Sequence, residues 1–189
     1  MPRLLTSMCA IALLAFECAC AEPPTKERHQ ADEALAAARA AGAETYAPDA
    51  LQAAEADLQK YDADVAQRDY RQALSHAQDA RDQAYAAAKQ AATEKAAAMA
   101  HANQLVTDLN TLVTTANARL SGTGGPRPTG QAAERLRAAV RAAPMALQEA
   151  RTLLDQQDYR GVVVRLTPSV EALRRELGLG DATPDRSGR

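Results

Sequence analysis

The chain has no tryptophan, a single phenylalanine and only 3% aromatic residues over 189 positions. That phenylalanine, Phe16, and all three cysteines, Cys9, Cys18 and Cys20, fall in the first 20 residues. The body that follows can form no internal disulfide and no zinc site built on cysteines. Between Pro48 and Gly122 there is neither glycine nor proline, so the usual turn punctuation is missing there, and no strand-like alternation replaces it. Large apolar side chains are scarce as well. Of the 47% counted as hydrophobic, much is alanine, about a quarter of the whole chain. Alanine buries little area, so at about 25 cal/mol per Å² each contact stabilises modestly. It does supply the highest helix propensity and lets helices approach closely. These deficits exclude a large globular core and favour long helices.

What is present begins with Met1–Cys20. Arg3 and the amino terminus form a basic start, Leu4–Phe16 an apolar run, and cysteine closes the segment, the plan of a bacterial export signal. The run is too short to span a bilayer, which needs about 20 apolar residues as helix, and it stops at Glu17. Two cuts remain open. Glu17-Cys18-Ala19-Cys20 resembles a lipobox, which would place a lipid on Cys20, although Glu17 stands where an aliphatic residue is usual. Ala19-Cys20-Ala21 is equally an A-x-A site for release of a soluble chain beginning at Glu22. Under the first reading Cys20 is the lipidation site, the lipid ties the chain to a membrane, and Ala21 after the cysteine points to the outer membrane.

The remaining organisation follows from breakers and periodicity. Residues 1–19 read as signal, 20–29 as tether, 30–120 as a first helical unit, 121–130 as linker, 131–177 as a second unit, and 178–189 as a disordered tail. Pro48 and Asp49 suit a helix start, running to about Ala66. A turn is expected at Gln67-Arg68-Asp69, with Asp69 capping the next helix; one unbroken helix through this point is the alternative. From Tyr70 to Leu120 a long helix is expected. Its seam runs through Ala77, Ala84, Ala88, Ala91, Ala98, Ala102, Leu105, Leu109, Leu112 and Ala116, interrupted by Arg81 and Lys95. The preceding helix is the expected cover for that seam. Ser121–Gly130 (SGTGGPRPTG) is a glycine- and proline-rich linker. The fold class is thus all-α, with elongated tetratricopeptide-like or coiled-coil-like hairpins in two related antiparallel units.

The second half resembles a shortened copy of the first. Gln30-Ala31, Glu33, Leu35 and Ala37-Ala38 match Gln131-Ala132, Glu134, Leu136 and Ala138-Ala139. Ala47-Pro48 and Ala50-Leu51-Gln52 match Ala143-Pro144 and Ala146-Leu147-Gln148, and Asp69-Tyr70-Arg71 matches Asp158-Tyr159-Arg160. Tyr46-Ala47-Pro48, then Leu51, Ala54 and Leu58, then Asp69-Tyr70, Ala73 and Ala77 resemble the bacterial domain-of-unknown-function 4398 family. That resemblance covers roughly Glu27–Ala92. It implies an alanine-rich helical hairpin in an envelope lipoprotein and no known activity.

Candidate chemistry is sparse. His29, His76 and His101 lie far apart, and His76 with Asp79 at i, i+3 reads as an exposed helix pair. No serine, threonine or cysteine of the body sits in a nucleophile motif. Gly122-Thr123-Gly124-Gly125 follows a helix and lacks a Gly-Lys-Ser/Thr ending, which makes it linker rather than phosphate loop. Tyr70 and Tyr159 are expected to pack across their turns with the hydroxyl wet, and Tyr46, Tyr61 and Tyr85 likewise. Pro48–Leu120 is acidic and Arg127–Leu177 basic, without the aromatic interleaving of a nucleic-acid face. The expectation is a non-enzymatic chain with no catalytic residue, metal or cofactor, acting as scaffold or adaptor for an envelope protein or cell-wall component. A soluble periplasmic binding module or chaperone-like protein is the alternative.

Overall fold

Alanine-rich stretches without glycine or proline fold as helix throughout the computed structural model, which describes residues 22–179. It is all-α, with no strand among the described residues. The helices are α1 (Thr25–Ala40), α2 (Ala43–Tyr46), α3 (Pro48–Ala66), α4 (Tyr70–Ser121), α5 (Gly130–Asp155) and α6 (Tyr159–Glu176). Contacts divide the chain after Glu94 into two compact units. The expected signal and Cys20 lie outside the described residues, as do residues 180–189.

In the first unit, α1 starts at Thr25, inside the stretch expected to be tether, so of that stretch's described residues only Glu22–Pro24 lie outside the helix. The carbonyls of Pro23 and Pro24 accept from the amides of Thr25 (2.8 Å) and Arg28 (3.1 Å), which begins the helix at once. Gly42 ends α1 at φ +89°, a left-handed conformation costly for any residue with a Cβ. Pro48 then opens α3 in its first turn, with Asp49 beside the positive end of the helix dipole. Arg39 pairs with Glu55 (2.5 Å) and Arg28 with Asp62 (3.5 Å), so α1 and α3 run in opposite directions. Arg28 also lies 5.6 Å from the ring centre of Tyr61, whose ring is buried against Ala73 and Ala77.

The expected turn falls between α3 and α4, so the helix is not continuous there. Arg68 takes φ 60°; its amide donates to Val65 O (3.0 Å) and that of Asp69 to Asp64 O (2.9 Å), a Schellman closure. Asp69 Oδ1 then accepts from the amide of Gln72 (3.1 Å), capping α4. The same chemistry recurs between α5 and α6. Gln157 has φ 59°, the amides of Gln157 and Asp158 donate to Leu154 O and Leu153 O (both 2.9 Å), and Asp158 Oδ1 accepts from Gly161 (2.8 Å). A third closure uses Gly178 and Leu179, whose amides donate to Arg175 O (3.1 Å) and Arg174 O (2.8 Å). Those two residues therefore belong to the cap of α6 rather than to the tail that was expected to start at 178.

Cover of the long seam differs from expectation. At its start the buried residues are Ala73, Ala77, Ala80, Ala84, Ala87 and Ala91. Ala80 and Ala87 replace Arg81 and Ala88 of the expected stripe, which removes the charge from the seam. From Ala92 to His101 no residue of α4 is fully buried, and Lys95 and Ala98 are only half-buried. Burial resumes at Ala102, Leu105, Leu109, Leu112 and Ala116, in one core with Leu136, Ala146, Val162, Leu166, Val170 and Leu173 of α5 and α6. The reason is reach: the 19 residues of α3 make about 28 Å of helix at 1.5 Å per residue, against 52 residues in α4. The division between units thus lies inside α4, not at the 121–130 linker. Lys95 donates to Gln157 Oε1 (3.1 Å), Arg174 to Asp108 Oδ2 (2.7 Å) and Arg119 to Leu177 O (2.7 Å), so α6 runs parallel to this half of α4.

Pro144 also departs from its counterpart. Pro48 opens a helix, whereas Pro144 sits inside α5, which runs unbroken to Asp155. From Gln131 to Pro144 the chain is five residues shorter than from Gln30 to Pro48, and the longer stretch contains Gly42, the residue that ends α1. Without those residues the blocks that lie on separate helices in the first unit lie on one helix in the second. An internal proline removes a backbone donor and crowds the preceding turn, at a cost of about 3 kcal/mol. Two substitutions should therefore act in opposite directions in chemical denaturation. Leu109→Ala, at a fully buried site, should lower stability by about 3 kcal/mol. Pro144→Ala, at an exposed site, should raise it by about 1–3 kcal/mol.

Candidate functional site

The one predicted site residue, Cys20, lies outside the described residues, so no geometry attaches to it. Two arrangements inside them draw polar groups together.

The first is a buried polar knot between α3 and α4. On α3 the inward stripe is Leu51, Ala54, Asp57, Leu58 and Tyr61, so Asp57 lies among apolar neighbours and is only 6% exposed. A buried carboxylate is costly unless paired. Lys60 Nζ lies 2.6 Å from Asp57 Oδ1, and Gln83 Nε2 of α4 donates to Oδ2 (2.5 Å). His76 stands between two acids, its Nδ1 3.8 Å from Asp57 Oδ1 and its Nε2 3.6 Å from Asp64 Oδ2. It is half-buried and faces α3, correcting the expectation of an exposed pair with Asp79. Asp64 Oδ2, His76 Nδ1 and Gln83 Oε1 are buried without a hydrogen-bond partner. An alanine seam presents nearly the same surface at successive steps, so the Asp57–Gln83 bond, with the packing of Tyr61 on Ala73 and Ala77, favours one register of α3 on α4 over others. A carboxylate, Asp57, on a stripe of 3–4 spacing with Leu51, Ala54, Leu58 and Tyr61 is the sequence signal for this buried contact. Among the tyrosines, Tyr46 and Tyr61 are buried and Tyr70 and Tyr159 half-buried, while Tyr85, expected to pack, is 56% exposed.

The second is a depression of about 930 Å³ where the linker enters α5. Arg127, Thr129, Gln131, Glu134, Arg135 and Arg137 lie on its wall. Arg135 reaches Glu176 (3.1 Å) and Arg137 reaches Glu134 (2.5 Å), while Arg127 is exposed and forms no ion pair with a described residue. Thr129 precedes α5 in an extended conformation and its side chain makes no capping bond to the first-turn amides. The charge around it is positive: residues 95–179 hold eleven lysines and arginines against seven acids, whereas residues 22–94 hold eight against fourteen. Gly122, in the segment expected to be linker, closes α4 at φ +84° by donating to Arg119 O (3.2 Å).

Among the described residues no group of three or more His, Cys, Asp or Glu is arranged to hold a metal ion, and no helix is long and apolar enough to cross a membrane. No protein-family model, curated protein or solved structure matches the chain.

Two groups of α3, Lys60 in the knot and Tyr61 in the apolar cluster beside it, give the first unit a pH-dependent stability. The hydrogen bond and charge of Asp57 hold Lys60 above its ordinary 10.5. Burial holds Tyr61 above its ordinary 10.0, opposed in part by the charge of Arg28. Both values are raised on folding, so both contributions are complete below the unfolded values and are lost as pH rises through the folded ones. Thermal unfolding followed by circular dichroism should show a midpoint that falls as pH is raised from about 10 to 12. Replacing both groups, Lys60→Met with Tyr61→Phe, should flatten that fall.

Proposed function

We propose that this chain is an exported, non-catalytic helical scaffold or adaptor, anchored by lipid on Cys20 at the outer membrane and facing the periplasm. The observation that carries the reading is the pattern of Met1–Cys20: a basic start, the apolar run Leu4–Phe16, and a cysteine after a small residue. The resemblance of Tyr46-Ala47-Pro48, Leu51, Leu58 and Asp69-Tyr70 to the domain-of-unknown-function 4398 family supports an envelope setting. So does a body whose buried residues are mostly alanine, valine and leucine, suited to presenting helical surfaces. Its partners are the membrane, through that lipid, and an envelope protein or cell-wall component; nucleic acid is not among them. The two halves are copies of one antiparallel hairpin, a view supported by the turn at residues 67–71 and its counterpart at 156–160, which share an αL residue, a Schellman closure and an aspartate cap. Adaptor function suits a 52-residue helix that enters two separate units of opposite charge, each presenting its own surface.

One specific feature favours a second reading. Glu17 departs from the lipobox pattern, and Ala19-Cys20-Ala21 would release a soluble binding module instead. Metabolic labelling with a palmitate analogue in a bacterial host separates the two. Wild type should take up label and partition with membranes, and Cys20→Ser should lose both properties. A wild-type chain that is cut, soluble and unlabelled would reject the anchored form and leave the soluble module.

A further inference from the structure

The depression at the start of α5 has a composition that no role as scaffold requires. Three guanidinium groups line it: Arg127 from the linker, and Arg135 and Arg137 from the first two turns of the helix. Only one carboxylate on its wall, Glu134, opposes them there. Arg137 is held by Glu134 and Arg135 by Glu176, which orients both side chains without neutralising the third. Arg127 has no such partner and is exposed at the rim. Guanidinium forks match the oxygens of phosphate in paired hydrogen bonds, and with Arg135 and Arg137 each paired to a glutamate the charge of Arg127 is left in excess for an anion to neutralise. The depression is shallow and open to solvent, and its volume of about 930 Å³ leaves room for one phosphate group. Gly130 and Gln131, the first residues of α5, also line the depression, and Thr129 gives their helix no side-chain cap.

We propose that this depression binds a phosphate group, with Arg127 as its main cationic contact and Arg135 and Arg137 on the same wall. The phosphate belongs either to a soluble phosphorylated compound or to a phospholipid headgroup. The site does not depend on lipid at Cys20, so its failure and that of the anchored reading are distinguishable.

The test uses the purified full chain with two probes. Inorganic pyrophosphate is titrated calorimetrically, and vesicles of phosphatidylglycerol or of phosphatidylcholine are sedimented with the protein. Arg127→Gln removes no ion pair from the fold, and unchanged helicity confirms that the variant is intact. Arg151→Gln is the control, an exposed arginine of α5 outside the depression. Binding should weaken about tenfold in Arg127→Gln and less than about twofold in Arg151→Gln. It should also weaken when salt rises from about 50 to 200 mM. Pyrophosphate binding without vesicle binding assigns a soluble source, and binding to phosphatidylglycerol vesicles alone assigns a headgroup. Binding of neither probe overturns the proposal, as does an equal loss in both variants, which would mark diffuse attraction to a basic surface.

Discussion

The leucine half of the α4 seam must be covered, and most of the architecture follows from how that is done. Leu105, Leu109 and Leu112 repeat on one face of a helix that extends well past the reach of α3. Left in water, each leucine would forgo about 1.5–3 kcal/mol of burial. α5 and α6 supply the cover, and their own inward residues, Leu136, Val162, Leu166, Val170 and Leu173, complete the core. The alanine half has a different solution. Its side chains are short, so helices come close, and the first unit is stabilised by many small contacts, with Leu51, Leu58 and Tyr61 as the larger buried groups of α3. One helix therefore serves two cores of different character.

Weak seams need something else to define position. In the first unit that role falls to the Asp57 knot, where a buried charge is held by Lys60 on its own helix and Gln83 on the facing one. Removing a partner would leave a buried carboxylate unmatched, which costs more than any alanine contact contributes. The turns add a second constraint. Arg68 and Gln157 adopt left-handed conformations that glycine would accept more readily, and in each case the following aspartate caps the next helix. Local strain at one residue is thus offset by satisfied amides and carbonyls on both sides of it.

Much of this was legible from residue order. Freedom from glycine and proline announced the long helix, whose observed limits, Tyr70 and Ser121, lie within a residue of those expected. The turn at 67–69 was marked by Asp69 and the linker by its glycines and prolines. What sequence could not reveal was pairing between distant elements. Ala86, Ala87 and Ala88 are consecutive, so periodicity alone does not separate them and the shift from Ala88 to Ala87 has no local signal. Pro144 resembles Pro48 because its neighbours match, and the missing stretch around Gly42 explains why one opens a helix and the other lies inside one. His76 pairs by sequence spacing with Asp79 on its own helix, whereas the acids that flank it in the fold, Asp57 and Asp64, come from the preceding helix. The depression at α5 forms from residues close in sequence, but the partner of Arg135 is Glu176, far along the chain. Of the predicted site, Cys20 is legible only as a pattern.

The central claim is that α4 is one helix supported by two separate cores with an unsupported stretch between them. Native-state hydrogen exchange resolved along α4 tests it most directly, since local opening reflects local packing. The account predicts strong protection of amides in residues 73–91, stronger protection in 105–116, and a minimum across 93–101, where no side chain is fully buried. Uniform protection from Tyr70 to Ser121, or a maximum in the middle stretch, would contradict it.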